Sequence, residues 1–378
     1  MMTNSEREKF LLITDFDSYG GTKTYFHFLT NFLSKKDIDL KVLLRTPDVL
    51  SEGEKEILIH KRIEIGFLPR VLFIKNRFLV RLRIVSFMRI LYFLLISFKS
   101  NRKVIISTGN PFLFLNAAWI FGIKFFYILH TYPTGSTSSY SKSLSFIQFI
   151  YKYILISRKI HMITVSKASK KEILRHLNIP EKSLNIEVVY NPSNFSPTLS
   201  IKNSTDIIIT IGHVEIWKNP FFWLEVACYV AEKHKKAIFF WAGSGSMLKE
   251  LESKIPNNLS SRIILLGHIE NIEALLSKGG VYFQPSLIES HGISVVDAMA
   301  HALPCVVSRI GGLPESVDDG ETGYIVDLSV EKAGDKILYL LLHKEESMKM
   351  GLAGKRKFER EFSLPQWENK MTDILINQ

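Results

Sequence analysis

A carboxylate and a glycine lie close together in a predicted loop between an apolar strand and a helix. The strand is expected at Val281–Gln284, and the loop runs from Pro285 to Gly292. Backbone N–H groups at the start of the next helix favour an anion, especially a phosphate. A carboxylate beside them can accept hydrogen bonds from sugar hydroxyls, although it can also be an exposed loop acid. The candidate binding residues of this segment are Glu289, His291, Gly292, Ile293 and Ser294.

A second loop with polar residues follows the predicted strand Ile207–Ile211. Lys218 stands directly before a helix expected to begin at Asn219 or Pro220. A lysine in that place can neutralise a diphosphate leaving group. His213, in the same loop, can donate a hydrogen bond or can simply pack at the end of the strand.

Paired glycines follow the first predicted strand of the chain. Gly20 and Gly21 would let the backbone approach a phosphate closely, although most such pairs only form turns. Asp15 and Asp17 precede them and spell an Asp-x-Asp pattern, which binds metals in other settings. Because these acids end a first strand directly before the glycines, we expect no metal there.

Strands and helices alternate along the chain in two blocks, with the polar segment 196–205 between them. A chain of 378 residues suits two domains. Alternating β and α elements favour parallel, doubly wound sheets, in which ligands bind beyond the carboxyl ends of the strands. The predicted strands are Lys9–Thr14, Leu40–Leu44, Val104–Ile106, Phe125–Leu129, Met162–Val165, Ile186–Val189, Ile207–Ile211, Ala237–Trp241, Arg262–Leu266, Val281–Gln284, Pro304–Val307 and Gly323–Val326.

The C-terminal half resembles family 4 retaining glycosyltransferases. Two acids with seven residues between them, Glu289 and Asp297, lead into an Ala-Met-Ala helix at 298–300 and a Gly-Gly-Leu-Pro-Glu turn at 311–315. The resemblance implies the GT-B fold, with two Rossmann-like doubly wound domains facing a cleft. It further implies an acceptor domain at 1–192, a nucleotide-sugar domain at 193–355, and a C-terminal helix at 356–378 that crosses back to the first domain.

The resemblance implies roles for individual residues. Glu289 would contact the donor sugar near its reacting carbon, and Gly20 with Gly21 would face the diphosphate. Gly243 matches the loop beside the nucleotide base. His130, at the end of the strand Phe125–Leu129, matches a histidine near the donor sugar, although a lone histidine at a strand end is more often structural.

The chain departs from the family pattern at two positions. Asp297 stands where the family has a glutamate that holds the ribose hydroxyls. The spacing of Ser294 and Asp297 also resembles a capping box, so that the aspartate could instead cap its helix. His213 replaces the arginine that the family usually pairs with the lysine at Lys218, which leaves one permanent cation where two are typical.

The predicted reaction is retaining glycosyl transfer from a nucleoside diphosphate sugar, without a metal or other cofactor. In the route proposed for the family, the acceptor attacks on the face that the diphosphate leaves, and the leaving phosphate helps take the acceptor proton. No protein base is then required. The alternatives are a nucleotide-sugar epimerase of the same fold, or a scaffold that binds a nucleotide sugar without turnover.

The positive charge of the chain is concentrated in one segment. Of the formal net charge of +11, an excess of +10 falls between Lys61 and Lys103, where eleven Lys and Arg accompany one acid. A basic amphipathic stretch suits an anionic membrane surface, and a solvated helix face is the plain alternative. No recognition motif supports binding to nucleic acid. We therefore expect a peripheral protein at the cytoplasmic face of a membrane, with a lipid-linked glycan of cell-surface polysaccharide assembly as acceptor.

Other features are expected to be structural. The uncharged run Val104–Ile123 is interrupted by a Thr-Gly-Asn-Pro segment at 108–111, so we expect a strand and a separate helix there and no transmembrane span. The polar N-terminal residues do not resemble a signal peptide. Cys228 and Cys305 are expected to be buried thiols in a reducing compartment.

Overall fold

The chain forms two compact α/β units. The computed structural model describes residues 7–14, 20–44, 46–67, 102–107, 124–130, 160–178, 180–183, 185–193, 195 and 205–377. The first unit comprises Met1–Val165 and Ser169–Val189, and the second comprises Ser166–Ala168 and Tyr190–Gln378. The domain limits expected at 192 and 355, and the return of the C-terminal helix to the first domain, stay predictions.

The described strands of the first unit form one parallel sheet, in the order β3-β2-β1-β4-β5-β6-β7. The strands are β1 (Lys9–Thr14), β2 (Asp39–Leu44), β3 (Glu64–Phe67), β4 (Lys103–Ser107), β5 (Phe125–Leu129), β6 (Ile160–Thr164) and β7 (Ile186–Val188). The helices described around this sheet are α1 (Gly21–Ser34), α2 (Glu52–His60) and α3 (Lys167–Leu177), with short 3₁₀ turns at Pro47–Val49 and Glu181–Ser183.

The amphipathic pattern of α1 is confirmed. Tyr25, Phe28 and Leu29 are buried, as are Phe32 and Leu33 one turn later. This spacing places them on one buried, apolar face of the helix. The helix therefore starts at the glycine pair, directly after the loop that follows β1.

The strands of the second unit form another parallel sheet, in the order β10-β9-β8-β11-β12-β13. They are β8 (Ile207–Ile211), β9 (Ile238–Ala242), β10 (Ile263–Gly267), β11 (Val281–Gln284), β12 (Cys305–Ser308) and β13 (Gly323–Val326). The helices are α4 (Pro220–Lys233), α5 (Leu248–Ser253), α6 (Ile272–Leu276), α7 (Ile293–Ala300), α8 (Leu313–Ser316), α9 (Val330–Leu342), α10 (Lys344–Glu361) and α11 (Leu364–Leu375), with 3₁₀ turns at Ile216–Lys218 and Asn257–Leu259.

Both faces of the second sheet are covered. Successive strand residues alternate between two apolar clusters, so that Ile208 belongs to the cluster that includes Trp223 of α4 and Ile209 belongs to the cluster that includes Val295 of α7. Alternation with a period of two places neighbouring side chains on opposite faces of a strand. The doubly wound α/β architecture predicted from the sequence is therefore confirmed for this unit.

The predicted strand limits agree with the structure to within about two residues, and two differences have a clear cause. Pro304 cannot donate a ladder hydrogen bond, so β12 begins at Cys305 although Pro304 still accepts from the Tyr282 N–H at 3.0 Å. Strand β3 was not predicted. It lies at the edge of the sheet, its residues are only partly buried, and Glu64 interrupts its apolar pattern.

Several further expectations concern single residues or segments. Cys228 and Cys305 are both free thiols, but Cys228 is only partly buried. Among the residues that the structure describes, no helix is both long and apolar enough to cross a bilayer. Residues 108–123 of the uncharged run and residues 68–101 of the basic segment lie outside the described part.

Candidate functional site

Lys218 and Glu289 form an ion pair, although the sequence placed them in separate clusters. The lysine ammonium contacts the Oε2 atom of the glutamate, and both side chains are mostly buried, with exposed fractions of 14% and 16%. Lys218 ends the loop after β8, and Glu289 lies in the loop after β11. Because these two parallel strands are neighbours, their carboxyl ends meet at one edge of the sheet.

Backbone hydrogen bonds join the two loops that carry the pair. The carbonyl of Trp217 accepts from the N–H groups of Leu287 at 2.8 Å and Ile288 at 3.3 Å. Asn219 adopts a left-handed conformation with φ of 60°, which ends the 3₁₀ turn and starts α4. The lysine is therefore held by its backbone as well as by its charge.

Two glycines make this arrangement possible. A Cβ on Gly243, whose φ is +150°, would lie 1.9 Å from the carbonyl oxygen of Gly212. A Cβ on Gly212, whose φ is +144°, would lie 3.2 Å from the Cε atom of Lys218. The Trp241 indole N–H also donates to the Gly212 carbonyl, at 2.9 Å. Gly243 therefore lies against the loop of Lys218, which the sequence did not predict.

The helix that follows Glu289 has no side-chain cap at its start. Gly292 is the N-cap of α7 with φ of +90°, and no described side chain caps the helix. The first N–H groups of α7, on Ile293 and Ser294, therefore belong to an uncapped helix end, which favours negative charge. The Ser294 hydroxyl is turned back and donates to Gln284 Oε1 at 3.3 Å.

The capping-box alternative for Asp297 is wrong. Helix α7 begins at Ile293, so Ser294 is already inside it and Asp297 is its fifth residue. Asp297 instead forms a side-chain hydrogen bond with Ser193, and burial raises the pKa of its carboxyl to about 7. The ribose contact implied by the family resemblance stays a prediction.

The side chain of His291 is buried among aromatic rings. It is 1% exposed, stacks on Tyr190 with ring centroids 5.1 Å apart, and meets the edge of Phe362 at 5.4 Å. Burial lowers the pKa of the imidazole to about 3, so the ring is neutral. The packing favours a contact through the backbone over one through the side chain, and donor binding at His291 stays a prediction.

In the first unit, His130 is also a packed, neutral histidine. Its Nε2 atom lies 3.0 Å from the Ser107 hydroxyl, and its ring meets Tyr25 at 4.3 Å between centroids. Burial lowers its pKa to about 3. Gly20, with φ of 108°, is the N-cap of α1, and Gly21 is exposed at the first position of that helix. Asp15 and Asp17 lie outside the described residues.

Three functional candidates were missed by sequence reasoning or were given no role. Gln284 donates from Nε2 to Glu289 Oε2 at 3.1 Å, and the Ser286 hydroxyl lies 3.4 Å from the same oxygen. The signal in the sequence that could have identified Gln284 was a glutamine at the end of an apolar strand.

Glu315 accepts hydrogen bonds from the N–H groups of Lys167 and Ala168 at 2.8 and 2.7 Å. All three residues belong to the second unit, so Glu315 has a structural role there.

His213 and the possible metal-binding residues were the remaining candidates at this site. His213 follows Gly212 in the loop after β8 and is partly exposed. Within the described ranges, no group of three or more metal-binding side chains comes together. Among the described residues, the positive groups that we identify at the Glu289 loop are the Lys218 ammonium and the N–H groups that open α7.

Two family models match successive parts of the chain. The model of Glycosyltransferase Family 4 matches residues 19–195, and the model of Glycosyl transferases group 1 matches residues 193–357. The chain belongs to the family 4 glycosyltransferases. The crystal structure of Anabaena HepE in complex with UDP and glucose superposes with a TM-score of 0.74 over 97% of this chain and 99% of that one. At 16% identity, this structural similarity shows the fold alone, which is GT-B.

Curated relatives match shorter stretches of this family 4 chain. A UDP-Gal:alpha-D-GlcNAc-diphosphoundecaprenol alpha-1,3-galactosyltransferase of Escherichia coli is 27% identical over 156 residues, which cover 38% of this chain and 40% of that protein. A Campylobacter jejuni alpha-1,4-N-acetyl-D-galactosaminyltransferase, named for an undecaprenol-diphosphate-linked glycan, is 26% identical over 170 residues, 43% of this chain and 47% of that protein. The chain thus spans less than half the length of these two relatives.

The raised pKa of Asp297 makes the stability of the second unit pH-dependent. Between pH 4 and pH 7 the folded carboxyl keeps a proton that the unfolded chain releases, so the free energy of unfolding should fall as pH rises through this range. Relative to Asp297→Asn, the wild type should lose about 1–3 kcal/mol from pH 5 to pH 8, since each pKa unit corresponds to about 1.4 kcal/mol.

Urea unfolding followed by tryptophan fluorescence at both pH values measures this difference. Asp373→Asn, which removes an exposed acid of α11, is the control for the loss of a charge. Equal pH slopes for the wild type and Asp297→Asn would contradict the assignment.

Proposed function

We propose that the chain transfers a sugar from a nucleoside diphosphate sugar to a glycan acceptor, with retention of configuration. The observation that carries this proposal is the Lys218–Glu289 pair, together with the uncapped start of α7 that directly follows the Glu289 loop. A cation and open N–H groups suit a diphosphate, and a carboxylate suits sugar hydroxyls. Family membership supports the reaction class.

In the proposed reaction, the bond between the anomeric carbon and the leaving phosphate oxygen breaks. The acceptor hydroxyl oxygen bonds to the same face of that carbon, and its proton passes to the leaving phosphate. The diphosphate gains negative charge as it leaves, and Lys218 with the N–H groups of α7 stabilises that charge. No side chain acts as a base, because the leaving phosphate takes the proton.

Donor binding changes the partner of Lys218. Without the donor, the ammonium is neutralised by Glu289. With the donor bound, the diphosphate supplies the negative charge for the lysine, while sugar hydroxyls donate to the glutamate. In each state, the lysine then has an anionic partner and the glutamate has hydrogen-bond donors, which lowers the cost of burying the two groups.

The proposed acceptor is a lipid-linked glycan at an anionic membrane surface. The names of the Escherichia coli and Campylobacter jejuni relatives specify glycans on undecaprenol diphosphate. The local excess of ten positive charges between Lys61 and Lys103 supports attraction to anionic lipid. We place the protein at the cytoplasmic face of the membrane, in the assembly of a cell-surface polysaccharide.

Replacement of Lys218 tests the proposed reaction. Lys218→Met keeps most of the side-chain stem but removes the charge, and it should lower kcat/KM about 10²–10³-fold by weakening stabilisation of the leaving diphosphate. The assay measures both free nucleoside diphosphate and glycoside formed from UDP, GDP and ADP sugars. Lys249→Met, at an exposed position of α5, is the control and should retain activity. Full turnover in folded Lys218→Met would refute this role, and release of free sugar without glycoside would indicate an epimerase.

Activity should persist in excess chelator. Lys218 and the start of α7 are proposed to stabilise the diphosphate charge, so that a divalent ion is not needed for this task. Turnover with and without EDTA, followed by addition of Mn²⁺, measures the requirement. Complete loss that Mn²⁺ restores would overturn metal independence and make Asp15 and Asp17 the first candidates as ligands.

The membrane proposal predicts salt-dependent binding to vesicles. The wild type should sediment with anionic phosphatidylglycerol vesicles at low salt and dissociate as salt rises, because each lysine or arginine near such a surface contributes about 1 kcal/mol that salt screens. The triple variant Arg77→Gln, Arg81→Gln and Arg83→Gln should bind more weakly, with UDP binding unchanged.

The matched control for charge is the second-unit variant Lys235→Gln, Lys236→Gln and Lys249→Gln, which removes the same number of cations. It should bind vesicles nearly as the wild type does. If the wild type ignores anionic vesicles at low salt, the membrane proposal fails and a soluble acceptor is favoured.

A further inference from the structure

Gln284 is a buried amide at the end of β11, directly beneath the Glu289 loop. It is 1% exposed, and it follows three apolar or aromatic strand residues that are also fully buried. A buried polar side chain has a high free-energy cost unless its donors and acceptors are paired. The partners of this amide therefore show what it does.

Two hydroxyl groups orient the Gln284 amide by donating hydrogen bonds to its oxygen. Its Oε1 atom accepts from the Tyr282 hydroxyl at 2.6 Å and from the Ser294 hydroxyl at 3.3 Å. Burial raises the pKa of the Tyr282 phenol, so this group stays protonated and remains a donor. Because both hydroxyls donate to Oε1, the amide oxygen is directed toward Tyr282 and Ser294. The NH₂ group at the other end of the amide therefore points away from Tyr282.

The NH₂ group of Gln284 donates hydrogen bonds to the loop that carries Glu289. It donates to Glu289 Oε2 at 3.1 Å and to the Ser286 hydroxyl at 3.0 Å. Oε2 thus lies within reach of three donors, namely Lys218, Gln284 and Ser286. Among the described residues, no hydrogen bond to the other carboxylate oxygen, Oε1, is found, so one edge of the carboxylate is held and the other is open.

We propose that Gln284 is a positioning residue that holds Glu289 with Oε1 presented to the hydroxyls of the donor sugar. Tyr282 acts one step further back, since its hydroxyl sets the orientation of the amide. This inference rests on the proposed function, because it gives Glu289 a sugar to bind. It also explains why Oε2 need not lose all its donors when Lys218 turns to the diphosphate.

The position of the amide in this chain of contacts predicts a specific kinetic effect. Gln284 contacts the carboxylate that faces the sugar, whereas Lys218 and the start of α7 face the diphosphate. Loss of the amide should therefore weaken positioning of the sugar in the transition state and leave nucleotide binding unchanged. A purely structural residue would instead lower stability and reduce nucleotide binding together with turnover.

The test compares Gln284→Met, Gln284→Glu and Tyr282→Phe with the wild type and with Gln366→Met, an exposed glutamine of α11. Calorimetry with UDP measures nucleotide binding, and turnover of a UDP sugar with glycan acceptor gives kcat and KM. We expect Gln284→Met to lose at least 10-fold in kcat with the Kd for UDP within twofold of the wild type. Tyr282→Phe keeps the ring and should lose less, in the same direction.

Gln284→Glu adds a pH readout. Two adjacent carboxylates cannot both ionise easily, so at low pH the introduced carboxyl keeps a proton and can donate it to Glu289 Oε2 as the amide does. In this variant, turnover should therefore be highest at low pH and should fall as pH rises and the introduced carboxyl ionises, whereas Gln284→Met should show no such added pH dependence. A structural role alone would not produce this pH dependence.

The outcomes separate the inference from the proposed function. Wild-type transfer with unchanged kcat in folded Gln284→Met or Tyr282→Phe would overturn the positioning role alone. A parallel loss of UDP binding and turnover in both variants would also overturn it. If the wild type binds UDP but forms no glycoside from any UDP, GDP or ADP sugar, the proposed function fails first and the inference fails with it. Should Gln284→Met not fold, Tyr282→Phe decides, because it preserves the packing of the core.

Discussion

The ion pair between Lys218 and Glu289 is the interaction on which the second unit's site depends. Two mostly buried charges are costly to remove from water, and the cost is offset only when each has a partner. The pair therefore links two loops through residues that lie 71 positions apart in sequence. It also makes the site responsive to its ligand, because a diphosphate can replace the carboxylate as partner of the lysine. A ligand that brings phosphate but no hydroxyls would leave Glu289 less well compensated than a full nucleotide sugar.

The parallel sheet brings this pair together. Neighbouring strands β8 and β11 end at the same edge, so the loops that follow them can meet. The Lys218 loop is also packed against the loop after β9, where Gly212 and Gly243 allow close approach, since both have positive φ and a Cβ at Gly243 would overlap the Gly212 carbonyl. These glycines thus act on the site through backbone geometry. Their importance is steric, whereas the resemblance to the family had suggested only a loop beside the nucleotide base.

Much of the second unit could be predicted from the sequence, because its strands are buried, apolar and separated by clear turns. The edge strand β3 of the first unit could not be predicted, because a partly exposed strand carries charged residues that interrupt the apolar pattern by which strands are recognised. The chemistry of the site was harder to predict from the sequence. The spacing of Ser294 and Asp297 matched a capping box, but the helix starts one residue before Ser294, at a position that Gly292 sets. His291 was a binding candidate because of its place between Glu289 and Gly292, and in the structure its side chain packs inward against aromatic rings. The partners of Gln284 depend on three-dimensional proximity that no periodicity encodes.

Burial decides which histidines can carry charge, and this limits how the diphosphate can be stabilised. His291 and His130 are enclosed and their pKa values fall to about 3, so neither adds a cation at neutral pH. The nearby Lys357 is also committed, since it bonds Asp318 and the carbonyl of Glu315. The replacement of the family's arginine by His213 is therefore not compensated by these groups. Among the described residues at the Glu289 loop, the leaving diphosphate would depend on Lys218 and on backbone N–H groups. The stabilisation would then come from the fixed positions of these groups more than from net charge. A site of this kind gains most from residues such as Gln284 that hold its few charged groups in place.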